Sequence, residues 1–378
     1  DRSVSRGLGD VYKRQVLVFM ESMSANLMGT FGSDKKLTPY LDSLYQQSLS
    51  FSHFYSSGIH TNHGIYSTLY SFPAIMKRNA MKGSVIPVYS GLPTVLQENG
   101  YCNLFFMTHE SQYDNMNAFL RTNGFDEIYA QENYPSEKVV NSFGVQDDFM
   151  YQYALPILNE RAGTGNPFFS VLLSISNHPP YVIPPYFHPH SDVLEEQIVE
   201  YADWSIRQFM QAAEKQPWFD NTIFVFLGDH GKMVGTPECE MPQSYNHIPL
   251  MIYGKDIKPG VYDGFGGQVD VSPTLLGLLN ISYLQNNFGV NLLEEERPCM
   301  FFTADNLIGA RDSVNMFIYS PDSQQEFKYK LEEGKLHAAT GTDEEAFRNL
   351  KDYCFSMLQS TESLVKEHKT LDKVSVKK

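Results

Sequence analysis

Five residues of this chain have types that do chemistry, and they stand where chains of alternating strands and helices put it. Glu21 follows the apolar run Val16–Met20, His178 follows Pro167–Ile175, and Asp229 and His230 follow Thr222–Leu227. Each run reads as a buried strand, and ligands of open α/β sheets bind beyond the carboxyl ends of the strands. Thr61 lies in the glycine-flanked turn GIHTNHG (Gly58–Gly64), ahead of a helical stretch Ile65–Tyr70. Backbone N–H groups at such a helix start favour an anion. Two carboxylates, an imidazole and a hydroxyl together suit a divalent cation such as Zn²⁺ or Mn²⁺. Taken singly, each residue has an ordinary reading. Glu21 is a helix N-terminal carboxylate, His178 a loop residue with a satisfied ring, and Asp229-His230 and Thr61 are capping residues. The joint pattern at strand ends in one chain is what points to a site.

The elements that must position these residues follow from the same runs. Pro39–Ser48 has helical spacing with Thr38 as N-cap, Phe51–Tyr55 reads as a strand, and Pro93–Asn99 as a helix closed by Gly100. Tyr101–Met107 is a strand, Asn115–Arg121 a helix, Leu194–Glu214 a long amphipathic helix, Pro249–Tyr253 a strand, and Val271–Leu279 a helix behind the cap Asp270. This alternation predicts an α/β fold with a mostly parallel central sheet flanked by helices. After about Cys299 the texture changes: Val314–Tyr319, Phe327–Leu331 and Lys335–Ala339 read as short antiparallel strands with a hairpin at Glu333-Gly334, and Asp343–Glu367 as a helix. The expected organisation is residues 16–300 as the catalytic part and 301–378 as a small C-terminal antiparallel α+β subdomain. Residues 1–15, DRSVSRGLGDVYKRQ, read as an adaptor-like or linker segment outside the fold, joined to a truncated N-terminus.

The bulk numbers narrow the function. Of 378 residues, 42% are hydrophobic and 19% charged, which suits a packed globular protein rather than a disordered one. A net charge of −15 repels nucleic-acid backbones, whereas an anionic substrate can still bind through a metal ion. Four scattered cysteines (102, 239, 299 and 354) form no CxxC pair, so no zinc knuckle is indicated. No run of ~18 apolar residues spans a membrane.

Several segments carry a family resemblance. VLVFMES (Val16–Ser22), GIHTNHG, SISNHPPY (Ser174–Tyr181), FVFLGDHG (Phe224–Gly231), NHIPLMIYG (Asn246–Gly254) and GQVDVSPTLLGLL (Gly267–Leu279) resemble, in order and spacing, lipoteichoic acid synthase and its sulfatase-fold relatives in the alkaline phosphatase superfamily. The resemblance covers roughly residues 16–312. LGDHG and the combination are specific, whereas MES or SNH alone is weak.

The resemblance implies one divalent metal, Mn²⁺ ahead of Mg²⁺ or Zn²⁺, held by Glu21, Thr61, Asp229 and His230, with Thr61 as nucleophile. It implies that His178 contacts the substrate phosphate or assists the leaving group. It also implies a head-group segment THESQYDN containing His109, Gln112, Asp114 and Asn115, with His247 facing the phosphate or a second metal. His60 and His63, extra to the family pattern, are loop residues or support the ligands from behind. The implied function is transfer of a phosphoglycerol-type group from a phospholipid or glycolipid donor to an envelope glycan or glycolipid. The alternatives are a phosphoethanolamine transferase, a phosphodiesterase or sulfatase-type hydrolase, and an inactive metal-binding module. Sulfate-ester hydrolysis is disfavoured, because the C/S-x-P-x-R motif behind formylglycine is absent around Thr61. Such synthases are anchored by N-terminal helices with the catalytic part outside the cytoplasm, so membrane contact here is expected through a missing N-terminal region.

Overall fold

The structure is a computed structural model that describes residues 13–83, 85–332, 334–339 and 344–371. The chain opens with strand β1 (Arg14–Met20), helix α1 (Pro39–Gln47), β2 (Leu49–Tyr55) and α2 (Thr61–Tyr70). Next come α3 (Leu92–Glu98), β3 (Cys102–Met107), α4 (Met116–Thr122), β4 (Glu127–Tyr129) and a small pair, β5 (Val139–Asn141) and β6 (Gly144–Val145). They lead to α5 (Asp147–Gly163), β7 (Phe168–Leu173), α6 (Leu194–Ala213) and β8 (Thr222–Gly228). The first layer set ends with α7 (Gln243–Asn246), β9 (Leu250–Tyr253), β10 (Gly260–Gly267) and α8 (Val271–Leu278).

Eight of these strands form one sheet in the order β10-β2-β9-β8-β1-β7-β3-β4. The pairings are parallel except at β9, which runs antiparallel to both β2 and β8. The central strands are apolar on both faces because both faces are covered. Leu17 and Phe19 of β1 pack with Ile65, Leu69, Phe119 and Leu275 on one side. Val16, Val18 and Met20 pack with Leu41, Leu44, Leu158 and Ile206 on the other. Each such side chain contributes about 1.5–3 kcal/mol of burial, so the middle of the sheet is a rigid platform.

A second sheet is an antiparallel meander of β11 (Met300–Thr303), β12 (Ile308–Arg311), β13 (Asn315–Ser320), β14 (Gln325–Glu332) and β15 (Lys335–Ala338). Phe347, Leu350 and Cys354 of α9 (Glu344–Lys366) pack on Phe301, Ile308 and Phe317 of this sheet. Its other face meets the first sheet through Tyr55, Phe265, Phe302 and Met316. The expected hairpin keeps Gly334 at φ +76°, while Glu333 lies outside the described residues.

Two sequence expectations change. Arg14 and Gln15, set aside with the first fifteen residues, belong to β1, and Gln15 is fully buried. They pair in register with both neighbours, Gln15 opposite Phe169 and Ile223. The residues before Lys13 lie outside the described part. Helix α2 starts at Thr61 rather than Ile65, with His60 as its extended N-cap, so Thr61 is on the helix and not in the turn before it. The expected strand near Pro249 is present as β9, the antiparallel member of this sheet.

Candidate active site

Strand register brings the carboxylates together. Met20 lies opposite Gly228 at the end of the β1–β8 pair, so the next residues, Glu21 and Asp229, emerge side by side. Both side chains are fully buried. Asp229 Oδ1 accepts the Ser22 N–H at 2.9 Å and the His230 N–H at 2.8 Å. Glu21 accepts the Ser22 hydroxyl at 2.6 Å, and its own N–H donates to Ser174 Oγ at 3.0 Å. That leaves Asp229 Oδ2 and Glu21 Oε2 facing one gap.

Helix α2 delivers Thr61 into that gap. Its hydroxyl donates to Asp229 Oδ2 at 2.7 Å and lies 3.4 Å from Glu21 Oε2. The approach requires glycine at position 64: a Cβ there would stand 2.2 Å from the Asp229 carbonyl oxygen. His230 completes the group. Its Nδ1–H donates to the Gly231 carbonyl at 2.7 Å, which turns Nε2 toward Asp229 Oδ2 at 3.5 Å and Glu21 Oε1 at 3.8 Å. One ligand atom each from Glu21, Asp229 and His230 lies within 4.8 Å of the others.

The electrostatics call for a cation. Burial, and then the neighbouring Asp229, push the Glu21 carboxyl well above its ordinary range. Two facing buried carboxylates with a presented imidazole lone pair are costly without a positive charge between them. Among the described residues, no Lys or Arg forms an ion pair with either. Lys232 comes near, but its ammonium donates to Asn177 Oδ1 at 2.6 Å and sits over the Tyr181 ring. Burial lowers its pKa to about 8. The donor set therefore fits one divalent ion held by Glu21, Thr61, Asp229 and His230.

Around this core the chain adds residues that pattern reading passed over. Asn177 Nδ2 donates to the carbonyls of Glu21 and Ser22 at 3.1 and 3.3 Å. Gln268 Nε2 donates to the Asp229 carbonyl at 2.7 Å while its Oε1 accepts the Ser57 N–H at 3.0 Å, which ties the GDH segment to the approach of α2. Both lie inside segments already quoted for resemblance, SISNHPPY and GQVDVSPTLLGLL, and that was the available signal.

The expected substrate residues separate into two groups. Asp114, in a left-handed turn, accepts the Asn62 amide at 3.2 Å and Lys82 at 2.9 Å, which ties it to the residue next to Thr61. His109 is buried, its Nδ1–H on the Glu110 carbonyl at 3.0 Å, and burial lowers its pKa. Its ring leads through Tyr113 (4.7 Å) and Phe143 (6.2 Å) to His178 (4.1 Å). This row of rings lies close enough to Glu21 for its charge to reach Tyr113. His178 bonds the Pro179 carbonyl at 2.6 Å instead of joining the four-residue cluster.

The second group turns away. Asn115 donates to the Met81 carbonyl at 2.7 Å. Gln112 is exposed. His247 is not brought to the cluster: it donates to the Ser52 carbonyl at 2.9 Å and stacks on Tyr55, and burial lowers its pKa to about 4. It pairs with Tyr55 in an isolated bridge and packs among the rings of Phe31, His53 and Tyr55. His60 meets Asp305 at 2.6 Å and His63 the Arg78 carbonyl at 3.1 Å, so both brace the turn.

The sulfatase family's sequence profile matches residues 13–281. The chain belongs to the sulfatase family. It is similar to the lipoteichoic acid synthase-like protein YvgJ of Bacillus subtilis, 25% identical over 316 residues that cover 75% of this chain and 50% of that protein. Staphylococcus aureus lipoteichoic acid synthase is 23% identical over 82% of this chain and 52% of its own length. The chain thus spans about half the length of the curated relatives it matches. Among solved structures, an alkaline phosphatase superfamily protein from Vibrio parahaemolyticus superposes with a TM-score of 0.84 and 27% identity, covering 94% of this chain and 88% of that one. The lipoteichoic acid synthase LtaP of Listeria monocytogenes gives 0.79 at 23% identity, over 94% and 92%. The fold is the alkaline phosphatase/sulfatase one, with a mixed, mostly parallel central sheet and a C-terminal antiparallel sheet. In this sulfatase-family chain the helix-start position beside the two carboxylates is occupied by Thr61.

Proposed function

We propose that the chain is the catalytic part of a metal-dependent phosphotransferase. It moves a phosphoglycerol-type group from a phospholipid or glycolipid donor to an envelope glycan or glycolipid, through a phosphothreonine at Thr61. The observation that carries this reading is the Thr61 hydroxyl, on the first turn of α2 and 2.7 Å from Asp229 Oδ2, beside a donor set that suits a divalent ion. The similarity to lipoteichoic acid synthases supports the phosphoglycerol-type donor. With about half of those relatives' length present, the membrane anchor and the extracytoplasmic setting belong to the same proposal. No helix among the described residues is long and apolar enough to cross a membrane.

A divalent ion, Mn²⁺ in our reading, would acidify the threonine hydroxyl and offset charge on the phosphoryl oxygens. The chain's own residues do the rest. Asp229 and Glu21 hold the hydroxyl in place, and the start of α2 offers N–H groups to the phosphoryl oxygens. Thr61 Oγ forms the new bond to phosphorus as the donor's ester bond breaks and its oxygen leaves with a proton. An acceptor hydroxyl then displaces Thr61 by the reverse sequence. Asp114, through Asn62, and the His109–Tyr113 rings stand where the head group must lie.

The test is direct. Wild type incubated with a phosphatidylglycerol donor should gain a phosphoglycerol mass on the peptide carrying Thr61, and Thr61→Ala should gain none and lose turnover. The Thr61 hydroxyl caps no backbone group of α2, so the variant should melt within about 1 kcal/mol of wild type. A folded Thr61→Ala protein with normal rates would sink the nucleophile assignment.

A further inference from the structure

Away from the metal-ligand cluster, a cavity of about 780 Å³ opens between α1, α6 and the segment before α6. Its size is that of pockets that hold small-molecule ligands, about 300–1,000 Å³. Two connections build its walls. The one from Glu21 to α1 contributes Lys36, with Tyr40 from α1 itself, and the one from Ser174 to α6 contributes Tyr186 and Phe187. Trp204 and Arg207 of α6 complete it.

The lining has a particular chemistry. Its apolar area is aromatic rather than aliphatic: Trp204 packs against Phe187 (5.4 Å) and Tyr186 (6.3 Å), and Tyr40 also lines it. Aliphatic side chains, which an acyl chain needs, are represented by Leu37 and Pro39. Rings with a polar edge suit pyranoses, which offer an apolar C–H face and a rim of hydroxyls. The cavity's carboxylates are turned to the backbone: Asp203 accepts the Tyr40 and Leu41 N–H groups at 3.1 and 2.8 Å, and Glu200 those of His190 and Ser191 at 2.7 and 2.9 Å. The side chains of Lys36 and Arg207 make no hydrogen bond or ion pair to any described residue. Both cations lie beside the aromatic wall, and Arg207 stands close enough to Asp203 for its charge to act on that carboxylate.

We propose that this cavity is a binding site for an acidic glycan: pyranose rings stack on Trp204 and Tyr186, and acidic substituents meet Arg207 and Lys36. The site stands apart from the phosphotransfer reading, and its test does not pass through turnover.

Binding is measured by calorimetry on the whole chain with trigalacturonic acid, with maltotriose as the neutral counterpart and phosphatidylglycerol vesicles as the lipid one. Wild type should bind the acidic trisaccharide at least about tenfold tighter than the neutral one. Trp204→Ala should weaken it about tenfold or more, and Arg207→Gln about fivefold with loss of the preference for acid. Hydrolysis of bis(4-nitrophenyl) phosphate should be unchanged in both variants, which separates failure here from failure of the phosphotransfer reading. Arg207 is exposed, so its variant decides the matter even if Trp204→Ala unfolds. Absence of trigalacturonate binding, equal binding of maltotriose, or insensitivity to Arg207→Gln would overturn the proposal. So would vesicle binding that is lost in the same variants while the sugar is ignored.

Discussion

Two of the places where this molecule buries carboxylates solve the problem in opposite ways. At the start of α8, Asp270 is clasped by Arg297, whose Nε and guanidinium N–H groups donate at 2.6–2.9 Å, and it also accepts the Gly267 and Val290 N–H groups. The chain supplies the cation itself, from 27 residues away. At the ends of β1 and β8, Glu21 and Asp229 face each other without one. Burial raises the pKa of both Asp270 and Glu21, but Arg297 pulls the first back while Asp229 pushes the second further. A buried charge satisfied internally is structural. One left open to a missing positive charge marks where the molecule expects something from outside.

Replacing one member of each place should therefore give opposite signatures. Asp229→Asn should lower turnover about 10⁴-fold, as losing one member of a catalytic set does, and should abolish metal uptake measured by emission spectroscopy. The metal-free variant should nevertheless melt above metal-free wild type, because a repulsion is gone. A metal-free variant that melts lower would break the contrast. Arg297→Met should do the reverse: it strands Asp270 and should cost about 3–5 kcal/mol of stability, read from urea unfolding, while metal content is retained. The double variant Arg297→Met with Asp270→Asn should recover part of that loss, since the uncompensated charge is what hurts.

Why one of these places was visible in the sequence and the other was not is a matter of local signal. Glu21 and Asp229 each end a continuous apolar strand, and the shift from apolar to acidic is written within eight residues. Arg297 sits in an irregular stretch, and nothing local says whom it meets. The same holds for the elements. The central strands were legible because both their faces are buried. Helix α5 (Asp147–Gly163) was not, because its apolar residues do not line one stripe and Pro156 interrupts it. Strand β10 was hidden by its glycines and by a bulge between Tyr262 and Phe265. In the site, Asn177 and Gln268 act on backbone carbonyls of residues 39 and more positions away, a contact that register and packing create. His247 shows the converse: a plausible residue type that the chain ahead of β9 packs against Tyr55 instead of the cluster.

A smaller effect sharpens how tightly the place around Glu21 and Asp229 is built. Gly64→Ala puts a methyl 2.2 Å from the Asp229 carbonyl oxygen, and backbone cannot yield as a flexible side chain can. Helix α2 must back away and take Thr61 with it. A displacement near 1 Å should lower kcat about 10²-fold, with stability reduced by about 1–3 kcal/mol. A Gly64→Ala enzyme with normal kcat would mean that Thr61 need not touch Asp229.

The smallest effect lies in the pH dependence of the metal-free protein. The folded-state pKa of Glu21 is raised, first by burial and then by Asp229, so the folded state holds its proton more tightly than the unfolded chain does. The favourable contribution is whole below the unfolded glutamate value of about 4.3 and is lost as pH rises through the folded value. Over that window the slope approaches about 1.4 kcal/mol per pH unit for one proton. With Mn²⁺ bound the carboxylate is wanted in its charged form, and the sign reverses: metal-loaded protein should gain stability relative to metal-free protein as pH rises through the same window. Asp270, held by Arg297, provides the internal reference, because its surroundings do not change with metal. Urea unfolding from pH 4.5 to 8, with and without Mn²⁺, reads both curves. Glu21→Gln should remove Glu21's share of the metal-free slope, leaving that of Asp147 and Asp203, whose carboxyls burial raises to about 6 and about 7, and should leave nothing for Mn²⁺ to reverse. If the metal-free and Mn²⁺ curves of wild type run parallel, the carboxylate pair is not where the cation binds, and the contrast between the two buried places loses its meaning.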